Sequence, residues 1–365
     1  MSSARDRQPD RRLIAAKHGR ASCPLTSPYE LSFTTLTAFE SVWVSLEDDA
    51  GEIGIGEAVA LPGYGDETVE RVQQTVASLL SDAVGVTAAE LRATCHDALG
   101  ASPFAASAIL TALDLPDYLE CLRPDWAFDL NAPIAGDAEP AVLGAALERA
   151  LARGCSYVKV KVGRTPDAER RNASWLLTAR PDARYTLVFD ANQGYSVDQA
   201  RRLSDTLATD PFGRLLWFEQ PVDRRDWDAM SRVCADANVP IVLDECIYTA
   251  HDIDQARSIG AAGVKLKGFK NGGIAATLAL AAHARRALLT VVFGNGVATD
   301  IGNFAELLTL GEGARLFTPP SESSGFAKLA APLCDLGLVI DDGYRLTCGI
   351  DAATARQRLR SFHAS

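Results

Sequence analysis

The chain has no Cys-x-x-Cys pair and no histidine at metal-finger spacing, and its eight cysteines (Cys23, Cys95, Cys121, Cys155, Cys234, Cys246, Cys334 and Cys348) are scattered. Scattered thiols form no disulfide framework and read as reduced cysteines of a cytoplasmic protein. Neither GxGxxG nor GxxxxGK[ST] occurs, which removes two common phosphate cradles. No uncharged apolar run reaches the ~18–20 residues of a membrane span. The richest stretch, Ile274 to Phe293, is broken by His283, Arg285 and Arg286. Basic residues are also in deficit: 36 Lys and Arg stand against 47 Asp and Glu, a net charge of −11. So acidic a chain lacks the cationic footprint that phosphate backbones and anionic membranes require, so neither is an expected partner. After Arg11-Arg12 only Leu13 to Ala16 are apolar before Lys17, too short for a signal core. Residues 1–12 read as a polar tail.

What is present suits a large globular core: 365 residues, 47% hydrophobic and 23% charged. Phe39 to Leu46 alternates and is β-branched, Asp48-Asp49-Ala50-Gly51 is a turn, and Ile53-Gly54-Ile55-Gly56-Glu57 completes a hairpin. Leu61 to Glu67 is a Gly/Pro loop. From Thr68 to about Leu122 apolar residues recur at helical spacing, as in Val69, Val72, Val76 and Leu79-Leu80.

After Trp126 short apolar runs ending in charge alternate with Ala-rich helical stretches, the pattern of βα units on a parallel sheet. The strand candidates are Ala132–Ile134, Tyr157–Val160, Thr186–Phe189, Leu215–Phe218, Ile241–Leu243, Gly263–Leu266, Leu289–Phe293 and Ala314–Thr318. From Lys159 through Asp190, Glu219 and Asp244 to Lys267 the steps are 31, 29, 25 and 23 residues. Each step holds one strand, one helix and two short loops, so the fold expected is α/β, a (β/α)7–8 TIM-like barrel behind an N-terminal α+β capping domain. The expected division is a cap at 13–125, a barrel at 126–340 and a C-terminal segment at 341–365 returning towards the cap.

In such a barrel the active site lies at the C-terminal strand ends. Those ends carry Lys159 and Lys161, Asp190 with Asn192, Glu219, Asp244 with Glu245, and Lys265, Lys267 and Lys270. One acid at a strand end ordinarily caps the next helix. Asp190, Glu219 and Asp244 on three consecutive strands would repel one another unless a cation neutralised them, and an oxygen-only set suits a hard divalent ion. Lysines come from the strand before this set and the strand after it. Lys159 and Lys161 are two apart and share a face; a second ammonium and a dication nearby would lower an amine's pKa towards that of a general base.

This constellation resembles the enolase superfamily, and within it the muconate lactonizing enzyme subgroup. The barrel motifs carry the resemblance most specifically; the cap, with GIGEA at Gly54–Ala58, matches more loosely. The resemblance implies Mg²⁺ (with Mn²⁺ the other candidate) on Asp190, Glu219 and Asp244, and Lys161 and Lys267 as an acid/base pair on opposite faces. Lys267 stands five residues before the first glycine of Gly272-Gly273, where the family places its base. Lys159 would then tune Lys161 and help neutralise the substrate carboxylate, with Asn192 and Glu245 supporting the ligands. The seventh strand ends Phe293-Gly294-Asn295-Gly296, so the family's alternative histidine base is absent, and Asn295 stands where many relatives have Glu.

The implied activity is abstraction of a proton α to a carboxylate through a stabilised enediolate, foremost as a racemase or epimerase of an amino-acid derivative. A muconate-type cycloisomerase or a dehydratase or o-succinylbenzoate synthase-type lyase would use the same apparatus. A Schiff-base aldolase using Lys161 or Lys267 is a more distant reading. Dipeptide epimerases of the family carry Asp-x-Asp at the eighth strand end; this chain has Thr318-Pro319-Pro320-Ser321-Glu322-Ser323 there, with Glu322 as a substitute cation binder. Loops at Ser22–Thr35 and Leu61–Glu67 would select a small carboxylate substrate, and a homo-oligomer is expected by analogy.

Overall fold

The computed structural model describes residues 11–30, 34–61 and 63–365. Most of the expected polar tail therefore lies outside the described residues, as do 31–33 and 62 within the two expected cap loops.

The N-terminal part is an antiparallel sheet of β1 (Leu13–Glu30), β2 (Thr35–Asp48) and β3 (Ile53–Val59), followed by α1 (Val69–Leu80), α2 (Ala88–Ala98) and α3 (Pro103–Leu119). The β2–β3 hairpin turns where the sequence places it. Asp48 Oδ1 accepts from the Ala50 and Glu52 amides at 3.0 and 2.9 Å, and Gly51 takes the φ of +75° that the turn requires. Much of the stretch 22–35 is strand rather than loop: β1 stays paired to β2 as far as Glu30, with a register irregularity between Pro24 and Tyr29.

The glycines of β3 have a packing cause. A Cβ on Gly54 or Gly56 would stand 1.7 Å from Ala112 O or 2.0 Å from Ala108 O, so β3 lies directly against the α3 backbone.

Beyond β4 (Phe128–Asp129) the barrel strands are β5 (Asn131–Ala135), β6 (Tyr157–Lys161), β7 (Thr186–Asp190), β8 (Leu215–Glu219), β9 (Ile241–Leu243), β10 (Gly263–Leu266) and β11 (Thr290–Phe293). They are parallel and adjacent in chain order. Between them run α4 (Pro140–Ala152), α5 (Pro166–Thr178), α6 (Val197–Leu207), α7 (Trp227–Asp236), α8 (Ala250–Ser258) and α9 (Gly273–Arg286), with α10 (Asp300–Glu312) after β11.

The period of two sorts every strand. Val158, Val160, Leu187, Phe189, Leu243, Val264 and Leu266 belong to the large core under the helices, while Val188, Trp217, Val242 and Val292 form a small separate cluster. Lys159 pairs in register with Val188, and Lys265 with Val292, so both lysines belong to this second set.

The eighth strand expected at Ala314–Thr318 does not form. Those residues are turn and coil after α10, and Phe317 stacks on Phe293 at 4.8 Å. The barrel is closed later by an irregular segment. The Thr318 and Glu322 amides donate to Val291 O and Phe293 O, while Ser321 N donates to Asp129 O and its carbonyl accepts from Asn131 N. Pro319 and Pro320 have no N–H to offer a ladder, which keeps this closure from being a regular strand.

The chain ends with β12 (Leu338–Ile340), β13 (Arg345–Cys348) and α11 (Ala352–Ala364). α11 lies on the N-terminal sheet: Phe362 meets Trp43 edge-on at 5.2 Å, and His363 Nδ1 is 2.7 Å from Ser45 Oγ.

Candidate active site

Register brings the predicted residues level. Lys161 pairs with Asp190 and Asp190 with Glu219 across β6, β7 and β8, and Asp244 follows one residue beyond β9. Asp190, Glu219 and Asp244 are each only 1% exposed. The turns after these strands hold Asn192, Gln193 and Gln220 at φ of +40°, +72° and +35°, in the left-handed region. Gln220, which sequence reasoning missed, ties two strand ends together. Its Oε1 accepts from Asp244 N at 2.8 Å and its Nε2 donates to Val222 O at 3.1 Å.

Two lysines sit among the carboxylates. Lys159 Nζ lies 2.6 Å from Asp190 Oδ2 and 2.9 Å from Glu219 Oε1, and it also pairs with Glu322 Oε1. Lys265 Nζ donates to Glu219 Oε1 at 3.0 Å, pairs with Glu322 Oε2 and stands 3.9 Å from Asp244 Oδ2. Glu322 thus has both oxygens engaged. The carboxylates whose oxygens gather within 4.8 Å of one another are Asp190, Glu219 and Glu322, while Asp244 turns to other partners. It accepts from Lys267 Nζ at 2.7 Å, Lys270 Nζ at 3.3 Å and Tyr64 Oη at 2.7 Å.

Lys161 and Lys267 flank this set on opposite sides. Lys161 donates to Asp190 Oδ2 at 2.7 Å and Asn192 Oδ1 at 3.0 Å; Lys267 is held by Asp244 and lies 4.3 Å from the centre of the Tyr64 ring. Both line a cavity enclosing about 640 Å³, counting its open mouth, with Tyr29, Tyr64 and Phe269 among its walls. The loop from Leu61 to Glu67 was expected to matter for the substrate end. Tyr64 from it reaches further, contacting both a predicted ligand and a predicted base.

Electrostatics follow from the pairing. Burial opposes charge on Asp190, but the ammoniums of Lys159 and Lys161 outweigh it and hold the carboxyl below its usual range; Lys267 and Lys270 do the same for Asp244. Glu219 is raised by burial and by Asp190 beside it. Burial and Lys159 would both lower Lys161, yet Asp190 prevails and its ammonium is stabilised; the expected lowering joined a dication to the second ammonium. Lys270 is lowered by burial.

Glu245 is pushed up to about 8 by burial and the neighbouring Asp244 and Asp190. Its Oε1 accepts from Asn192 Nδ2 at 3.0 Å, but its buried Oε2 has no partner among the described residues. The largely buried, oxygen-only set of Asp190, Glu219 and Glu322 has the donor chemistry of a hard divalent cation such as Mg²⁺, and Glu245 lies outside that set.

At the seventh strand end Asn295 donates from its Nδ2 to Val297 O at 2.7 Å, and its own amide reaches Glu306 Oε2 of α10 at 3.3 Å. The carboxylate of Glu306 therefore lies against the Asn295 backbone.

Residues 142–346 match the enolase C-terminal domain-like family, more than half of the chain, and the protein belongs to that family. The L-Ala-D/L-Glu epimerase of Bacillus subtilis (strain 168) is 26% identical over 80% of this chain and 82% of its own length. The chloromuconate cycloisomerase of Cupriavidus pinatubonensis is 27% identical over 73% of this chain and 75% of that protein. Among solved structures, the substrate-liganded complex of the Bacillus subtilis L-Ala-D/L-Glu epimerase superposes with a TM-score of 0.80 at 20% identity, covering 93% of this chain and 97% of that one. That superposition shows the fold: a barrel with an N-terminal antiparallel cap. No helix among the described residues is long and apolar enough to cross a membrane.

Proposed function

We propose that the protein is a Mg²⁺-dependent racemase or epimerase that moves a proton on the carbon α to the carboxylate of an amino-acid derivative. One observation carries the reading: Lys161 and Lys267 line a single cavity from opposite flanks, each bonded to a different buried carboxylate. Amines on two faces permit removal of a proton from one side and its return on the other, the requirement for inversion.

Asp190, Glu219 and Asp244 are the proposed ligands of the cation, with Mn²⁺ as a substitute. Bound there, the ion would stabilise charge developing on the substrate carboxylate. Lys161 and Lys267 exchange the proton, with Asn192 orienting Lys161 and Tyr64 orienting Lys267 through Asp244. Lys159 balances charge beside the reacting carboxylate, and Glu245 supports Asn192. The division at about residue 125 into a substrate-selecting cap and a catalytic barrel belongs to the same proposal.

The test is α-deuterium incorporation from D₂O into candidate N-substituted amino acids. It should be lost on chelation and restored by Mg²⁺; absence of exchange from every α-substituted carboxylate tried refutes the reading. A new double bond or lactone among the products would instead assign a lyase or cycloisomerase.

A further inference from the structure

Four ammonium groups line the cavity, those of Lys159, Lys161, Lys267 and Lys328, and the proposed chemistry uses only three. Lys328 comes from the short turn Phe326–Lys328 beyond the barrel closure. It donates to the carbonyls of Gly296 at 2.9 Å and Ser324 at 3.3 Å, and its Nζ lies 4.7 Å from the centre of the Tyr29 ring. No carboxylate among the described residues forms an ion pair with it. The Glu322 carboxylate acts on it only at a distance, so an enclosed ammonium bonded to carbonyl dipoles and a ring face can still accept an anion. Burial lowers it to about 8, so at neutral pH it is mostly charged.

The acid on the same wall already has a lysine on each oxygen. Glu322 is the carboxylate among the described lining residues, and Lys159 and Lys265 take one oxygen each. A free ammonium at the far end of a substrate would meet Lys328 with no acid released to receive it.

We infer that Lys328 binds a second anionic group on the substrate, so that the protein acts on amino acids whose nitrogen is acylated by a chain ending in a carboxylate, rather than on dipeptides with a free amino terminus. This rests on the proposed racemase or epimerase activity and adds to it the class of substrate. Val59, Leu61 and Phe269 give the same cavity apolar wall, which suits an apolar amino-acid side chain.

The experiment compares α-deuterium exchange of three compounds by the wild-type enzyme with Mg²⁺: N-succinyl-L-leucine, its distal carboxamide analogue, and L-alanyl-L-leucine. The expected kcat/KM is greatest for the succinyl compound, by about tenfold over the carboxamide, mostly through KM. Lys328→Gln should collapse the succinyl-to-carboxamide ratio towards one, and Lys328→Arg should restore much of it. Equal rates for the acid and the amide, or a preference for the dipeptide, overturn the inference and leave the activity standing. No exchange of any of the three overturns the proposed activity and this inference with it. The wild-type comparison needs no variant to fold, and a ratio unchanged in a folded Lys328→Gln protein also refutes the assignment.

Discussion

Glu57 of the GIGEA stretch fastens the N-terminal sheet to the barrel, and its substitution separates charge from hydrogen bonding. The side chain is 4% exposed. Oε1 accepts from the Thr299 and Gly302 amides at 2.7 and 3.0 Å, and Oε2 accepts from Thr299 Oγ1 and Ser41 Oγ at 2.6 and 2.8 Å. The amides belong to the N-terminus of α10, where a carboxylate also meets the helix dipole. Glu57→Ala would orphan two amides, at about 1–3 kcal/mol for a buried one, and leave a cavity. The expected total is roughly 3–5 kcal/mol.

Glu57→Gln should differ sharply. Its single oxygen can keep both amides, and its NH₂ can donate to the two hydroxyls, which rotate to accept. The cost should stay within about 1 kcal/mol. Burial raises the Glu57 pKa in the folded protein against the pull of these hydrogen bonds. A raised carboxylate pKa means that the wild type loses stability as pH rises above the unfolded value of about 4.3 and through the folded value, a loss the Gln variant does not share. Urea unfolding near pH 4.5 and near pH 8 reads both effects, with m unchanged. A Gln variant as unstable as the Ala variant at both pH values would refute this reasoning and assign the contact to the negative charge.

Gly56→Ala should cost about 3 kcal/mol or more by pushing β3 from α3, read as a lower urea midpoint, because its Cβ would meet the Ala108 carbonyl rather than a movable side chain. Glu306 is raised to about 7 by burial despite the bond from Asn303 Nδ2 at 2.7 Å. The wild type should therefore lose stability as pH rises from about 4.3 through 7, and Glu306→Gln should be more stable above that window by up to about 3 kcal/mol, with little difference near pH 4.

How far the site could be read from the sequence depended on how local its determinants are. Strand alternation places Lys159 with Lys161 and Lys265 with Lys267 on one face, and parallel register then makes Asp190 and Glu219 neighbours. These are short-range rules, and seven strands of the barrel obey them. Ala314–Thr318 misled because an apolar run after a helix looks like a strand, whereas the diproline after it moves closure to Ser321 and Glu322.

Tyr64, Tyr29 and Lys328 reach the cavity by tertiary packing from the N-terminal part and from a turn, and no periodicity marks them. Glu322 stood out as an acid near the mouth. That Lys159 and Lys265 occupy both its oxygens could be learned only from coordinates.

The central claim is that Lys161 and Lys267 serve opposite faces of one carbon. The direct measurement follows α-deuterium exchange of each enantiomer separately, using the N-acylamino acid the wild type exchanges fastest, with Lys161→Ala and Lys267→Ala. Each variant should lose racemisation by roughly 100- to 10,000-fold. Each should still exchange the α-proton of one enantiomer, and the surviving enantiomer should differ between the two variants. Loss of exchange for the same enantiomer in both, or racemisation persisting in either at the wild-type rate, would contradict the account.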